Sequence, residues 1–180
     1  MDCKIIWNLP NLISASRLAF TPFILYLTFF ISKEYFAYIF LVFQFTDILD
    51  GYIAKRFSMS TDFGALLDTW GDLCSYLIAF HALFFYHPDF FLNSKLNIFL
   101  VSIFLALYFI NALLIFIMHK KICFGLSTKL SKICFYLQSG FLIFTFLYSL
   151  NLYFFYIAFL IGIIRELENG YLIINKKTKL

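Results

Sequence analysis

The sequence predicts an all-α integral membrane protein, a bundle of six transmembrane helices with an N-terminal interfacial segment and both termini cytoplasmic. Three observations predict it. Of the 180 residues, 63% are hydrophobic and only 13% charged, whereas a soluble domain is roughly 45–50% apolar. Apolar runs approaching or reaching the roughly 20 residues of a membrane span recur at residues 13–31, 35–54, 63–85, 96–118 and 133–150, with a last one after Leu152. The cations then choose between five spans and six. Six spans gather Lys4, Arg17, Lys55, Arg56, Lys120, Lys121, Lys129, Lys132, Arg165, Lys176, Lys177 and Lys179 on one side and leave only Lys33 and Lys95 on the other, the bias expected of cytoplasmic loops. Five spans would put the lysine-rich tail outside.

The elements follow in order. Residues 1–12, with Trp7 as an anchor, suit a segment lying in the interface before the chain turns inward. Early cations are few and no small-residue cleavage site follows a short apolar core, so the first span is expected to be retained. Spans two and three are joined by the short stretch 56–62, which makes them antiparallel neighbours. The nearly unbroken apolar stretch 133–164 is too long for one helix and divides at 149–151. Most of the 27 Phe show no pattern beyond lipid-facing and interhelical packing. Cys3, Cys74, Cys123 and Cys134 form no CxxC pair and read as small apolar residues. No repeat or linker divides the chain, so residues 1–180 are expected to form one domain. The net charge of +4 reads as a topology signal with some headgroup attraction, and no nucleic-acid partner is expected.

Against this background the stretch "DILDGYIAKRFSMSTDFGALLDTWGD", residues 47–72, holds four carboxylates at helical intervals. Asp47, Asp50, Gly51 and Ala54 share one face of the second span, and Gly64, Asp68, Gly71, Asp72 and Ser75 line the third. At about 1.5 Å per residue, Asp50 and Asp68 lie about 8–9 Å from the cytoplasmic ends of their helices, and Asp47 and Asp72 about 13 Å. Four acids at matched depths can converge on one pocket. A single ionisable group in a span costs roughly 2.5–3.5 kcal/mol, so a cation is expected between them. Lys55 and Arg56 snorkel to the headgroups and cannot neutralise all four. Clustered oxygens without His or Cys favour Mg²⁺, Mn²⁺ or Ca²⁺ over zinc. His81, nine residues beyond Asp72, reads as a packed core histidine. A plain salt-bridge network at a solvated helix end is the competing interpretation, disfavoured by the cost of charge at depth and by the two glycine-bearing stripes.

These residues resemble the signature of the CDP-alcohol phosphatidyltransferases, D-x-x-D-G-x-x-A-R, eight residues, G, three residues, D, three residues, D. It is met by Asp47, Asp50, Gly51, Ala54, Gly64, Asp68 and Asp72, with Lys55 in place of the arginine and Arg56 following it. Lys supplies a point charge where Arg supplies a fork. The segment "NLPNLISASRLAFTPF" is similar to the N-x-P-N-x-x-T-x-x-R segment of phosphatidylglycerophosphate synthases, with Ser14 standing for Thr. The resemblance implies that Asp47, Asp50, Asp68 and Asp72 hold two divalent ions, Mg²⁺ or Mn²⁺, and that Asp72 is also the general base. It implies that Gly51, Ala54, Lys55 and Gly64 receive the CDP group of CDP-diacylglycerol. It further implies transfer of the phosphatidyl group to a small hydroxylated acceptor with release of CMP, a homodimer, and a place in the cell (inner) membrane with the active site facing the cytoplasm.

Glycerol 3-phosphate is the leading acceptor. Its dianion calls for cations, and the candidates for acceptor or phosphate binding are Asn11, Arg17, Arg56, Lys129, Lys132 and Arg165. The stretch "LLDTWGDLCSY" departs from the "LDPxADK" of phosphatidylglycerophosphate synthases, which keeps inositol phosphate or another alcohol open. Two other classes remain, a cation transporter and a catalytically silent lipid-binding relative. Against the transporter, the acids cluster near one side and spans four to six are expected to supply no acidic partners.

Overall fold

A computed structural model describes residues 6–119 and 128–175, with the backbone alone for Asp62, Phe116, Met118, His119 and Lys129. The described residues form seven helices and no strand: α1 (Leu9–Leu27), α2 (Lys33–Arg56), α3 (Asp62–Tyr86), α4 (Pro88–Leu92), α5 (Lys95–His119), α6 (Lys129–Leu147) and α7 (Leu152–Ile174). Six are long and correspond to the six apolar runs; the five-residue α4 was not foreseen. By length and composition α2, residues 95–115 of α5 and residues 130–147 of α6 are apolar enough to cross a bilayer. The other three long helices carry the polar residues discussed below, which lowers their apolar content. The protein is an integral membrane protein, and large side chains such as Phe20, Phe45, Leu113 and Ile157 stand exposed on its helices.

The chain divides into two compact units, Met1–His87 and Pro88–Leu180. In the first, α1 packs along both α2 and α3, which touch each other little. Phe36, Phe40, Ile78 and Leu83 fill this unit's core. In the second, α7 packs along α5 and α6, and α4 sits against α5, around Phe104, Phe141, Phe155 and Ile115.

The first helix begins earlier than the apolar run suggests. Asn8 caps it by accepting from the Asn11 N–H at 3.0 Å, and Pro10 in the first turn supplies a φ suited to a helix start. Residues 9–12, assigned by sequence to the interfacial segment, are therefore helical. Of that segment Trp7 is exposed and meets Phe63 edge-on at 5.6 Å, while residues 1–5, including Cys3, lie outside the described residues, as does Cys123. Cys74 and Cys134 are free thiols. His81 behaves as a packed histidine, with Nε2 at 2.9 Å from Thr28 Oγ1 and its ring against Phe29.

Candidate active site

The turn between the two acid-bearing helices is closed by its own backbone. After α2, Ser58 adopts φ 52°, the Met59 N–H reaches the Ala54 carbonyl at 2.8 Å and the Ser58 N–H reaches that of Lys55 at 3.5 Å, a Schellman ending. Thr61 then caps α3, accepting from the Gly64 N–H at 2.9 Å. Two asparagines of the N-terminal motif hold this turn from α1. Asn8 donates to the Met59 carbonyl at 2.8 Å, and Asn11 Nδ2 donates to Thr61 Oγ1 at 3.0 Å and to the Ile6 carbonyl at 2.7 Å. A Cβ on Gly64 would fall against Asn11 Oδ1, so glycine is what lets α1 approach α3 here.

With the turn fixed, the acids converge. One carboxylate oxygen from each of Asp47, Asp50 and Asp68 lies within 4.8 Å of the others. The group opens toward one side: Asp50 is 3% exposed and Asp47 14%, while Asp68 is exposed. Asp72, one turn further along α3, is half-buried and stands outside this group of three. Three hard oxygen donors with no nitrogen or sulfur among them fit a magnesium- or manganese-type ion.

A protein cation also reaches the acids, from a helix where sequence reasoning did not look for it. Asn11, Ser14, Arg17 and Thr21 recur at intervals of three, three and four along α1 and are all buried, a polar stripe on one helix face. Arg17 pairs through one guanidinium nitrogen with Asp47 Oδ1, and that nitrogen is 3.7 Å from Asp50 Oδ2. Ser14 Oγ donates to the same Asp50 oxygen at 2.6 Å. The sequence reading placed Arg17 among phosphate-binding cations at the helix mouth; the structure buries it to 2% exposure beside the acids. The three-residue spacing was the signal that could have revealed it.

The remaining candidates are dispersed. Gly51 and Ala54 are half-buried, and a Cβ on Gly51 would meet nothing within 4 Å. Lys55, Arg56 and Lys132 are exposed. Lys129 opens α6, and its side chain lies outside the described residues. Asn11 is buried with both amide hydrogens given to protein acceptors.

In the second unit Arg165 donates from Nε to Ser131 Oγ at 3.2 Å and pairs with Glu166. Glu166 also accepts from Asn111 Nδ2 at 2.8 Å and is 1% exposed. The expectation that spans four to six supply no acidic partner is thus corrected: α7 buries one. Arg165, beside Glu166 on the same helix, is its counter-charge, so Glu166 is not a lone acid on an ion path.

An apolar helical chain with a convergent oxygen-donor cluster defines an integral membrane protein with a candidate divalent-ion site. The chain belongs to the CDP-alcohol phosphatidyltransferase family, whose model matches residues 7–164. A CDP-diacylglycerol–glycerol-3-phosphate 3-phosphatidyltransferase of Aquifex aeolicus is 37% identical over 92 residues, 50% of this chain and 48% of the relative. The protein of the same name from Rickettsia bellii is 40% identical over 73 residues, 38% of this chain and 40% of the relative. A cardiolipin synthase (CMP-forming) / mitochondrial hydrolase fusion protein of Schizosaccharomyces pombe is 42% identical over 67 residues, 37% of this chain and 11% of the relative. The matches therefore span less than half the length of these relatives.

Proposed function

We propose that this protein transfers a phosphatidyl group from CDP-diacylglycerol to glycerol 3-phosphate, releasing CMP. The observation that carries the proposal is the convergence of Asp47, Asp50 and Asp68, which stand at the family's spacing. The names of the Aquifex and Rickettsia relatives support the choice of acceptor.

In the proposed reaction an acceptor hydroxyl oxygen attacks the phosphorus that carries the diacylglycerol, and the bond from that phosphorus to the CMP oxygen breaks. Asp72 takes the hydroxyl proton as general base. Asp47, Asp50 and Asp68, joined by Asp72, would hold two Mg²⁺ or Mn²⁺ ions, which when bound offset charge on the diphosphate and on departing CMP. The open space at Gly51, with the half-buried Ala54 after it, suits close approach of the CDP group, and exposed Lys55 supplies the cation at the place of the family arginine. Gly64, on α3, is included for the CDP group by the family motif alone, since its neighbour in the structure is Asn11 of α1. Arg56, at the end of α2, is proposed for the acceptor's phosphate on grounds of charge, and Lys129, Lys132 and Arg165 of the second unit are candidates by charge alone.

The proposal includes one continuous domain, supported by a family match that crosses the boundary between the two compact units. It also includes six spans with both termini cytoplasmic, a homodimer, and an inner-membrane site facing the cytoplasm.

The test is CMP release from CDP-diacylglycerol by the purified protein with Mg²⁺ or Mn²⁺, across glycerol 3-phosphate, inositol phosphate, inositol and serine, with Asp72→Asn as control. Release with glycerol 3-phosphate that disappears in the variant is expected. Release with inositol phosphate alone would reassign the acceptor, an outcome given weight by the departure at "LLDTWGDLCSY". Unchanged turnover in Asp72→Asn would remove Asp72 as the base.

A further inference from the structure

The Arg17 guanidinium occupies a socket made largely by groups other than the acids. A Cβ on Gly71 would stand 3.0 Å from Arg17 Cζ and from one of its terminal nitrogens, so the absence of a side chain there is what admits the guanidinium. Ser75 accepts from Arg17 at 3.4 Å and donates to the Gly71 carbonyl at 3.1 Å. The Phe43 ring lies 5.2 Å from Cζ, within cation–π range. Gly71, Ser75 and Phe43 come from two helices and would hold the guanidinium in place whatever the acids bind.

From this socket α1 engages one oxygen on each of two acids, Asp47 Oδ1 through Arg17 and Asp50 Oδ2 through Ser14. A carboxylate held at one oxygen is fixed in rotation and presents the other in a set direction. Hydrogen-bonded partners behind metal ligands act in this way, and their loss commonly costs roughly 10–100-fold in metal affinity.

We propose that Arg17 and Ser14 are positioning residues for the divalent-ion site, with Gly71 as the socket that seats Arg17, and that Arg17 remains seated when the ions bind. This rests on the metal site of the proposed function and assigns Arg17 a task other than gripping a phosphate from water.

The alternative task for a buried cation beside three acids is to stand in for the metal and leave when it arrives. The two differ in sign. A stand-in competes with the ion, so its removal tightens metal binding; a positioning group orders the ligands, so its removal weakens binding despite the loss of a repelling charge.

The experiment is Mn²⁺ binding to the full-length protein in nanodiscs without substrate, read by the electron paramagnetic resonance of free Mn²⁺, with thermal unfolding to establish that each variant is folded. Arg17→Ala and Ser14→Ala are each expected to weaken Mn²⁺ binding, Arg17→Ala by roughly 10–100-fold. Gly71→Ala is expected to weaken it about as much when Arg17 is present and by less than about twofold in the Arg17→Ala background, because the crowded group is gone. Unchanged or tighter binding in Arg17→Ala, or a Gly71→Ala effect equal in both backgrounds, would overturn the proposal. If Arg17→Ala does not fold, Ser14→Ala decides, and unchanged binding there has the same force. Absence of Mn²⁺ binding by the unaltered protein would overturn the metal site itself along with this inference, whereas strong binding that ignores these variants would overturn the inference alone.

Discussion

Asn11 and Thr61 are fifty residues apart in the chain, and a single hydrogen bond of 3.0 Å joins them. Thr61 is the cap of α3, so this bond fastens the start of the helix carrying Asp68 to the start of the helix carrying Arg17. Asn11→Ala removes this bond and the one to Ile6. At roughly 0.5–1.5 kcal/mol for each, the loss is about 1–3 kcal/mol. A lower unfolding temperature in detergent checks it, with reduced turnover expected as α3 loses its anchor.

Ser58 should yield the opposite result. A non-glycine residue in the left-handed region costs roughly 1–2 kcal/mol, and Ser58 sits there to end α2. Ser58→Gly is expected to stabilise the protein by about 1 kcal/mol after the entropy cost of glycine is subtracted. Turnover should stay within about twofold, since Ser58 is no part of the site.

Glu166 is buried with Arg165 and Asn111 as partners. Removing one member of a buried ion pair costs roughly 3–5 kcal/mol because the other charge is left without compensation. Glu166→Ala is expected in that range by denaturant unfolding. Glu166→Gln, which keeps an acceptor for Asn111, should lose less.

Divalent-ion chemistry predicts a fourth outcome. Chelation with EDTA should stop CMP release, and Mg²⁺ or Mn²⁺ but not K⁺ should restore it. Asp47→Asn, Asp50→Asn and Asp68→Asn should each lower turnover by at least about 100-fold, the upper end of the loss caused by disturbing the groups behind a metal ligand.

Much of this was legible in the sequence for a physical reason: a helix face repeats at short range. Asp47 and Asp50, and Asp68 with the glycines around it, declare their faces through intervals of three and four, and apolar runs declare the long helices. Partners brought by another helix leave no such trace. Lys55 and Arg56, near the acids in sequence, snorkel away and leave a metal ion as the expected counter-charge, while Arg17, thirty residues before Asp47, supplies the protein's own contact. Glu166 beside Arg165 reads as an ordinary charged helix end until Asn111 arrives from α5. The early start of α1 escaped because Asn8 and Pro10 set it through capping, which a count of apolar residues does not register.

The position of α1 between α2 and α3 bears on how the protein is made. Every residue of the acidic group and of its supports, from Asn8 through Arg17, Phe43, Asp50 and Thr61 to Ser75, lies in the first compact unit, Met1–His87. Domains fold as units with the earliest-synthesised first. The helix that orders the carboxylates thus emerges from the ribosome before the acids do, so Asp47 and Asp50 can meet Arg17 as they are inserted, ahead of the last three long helices.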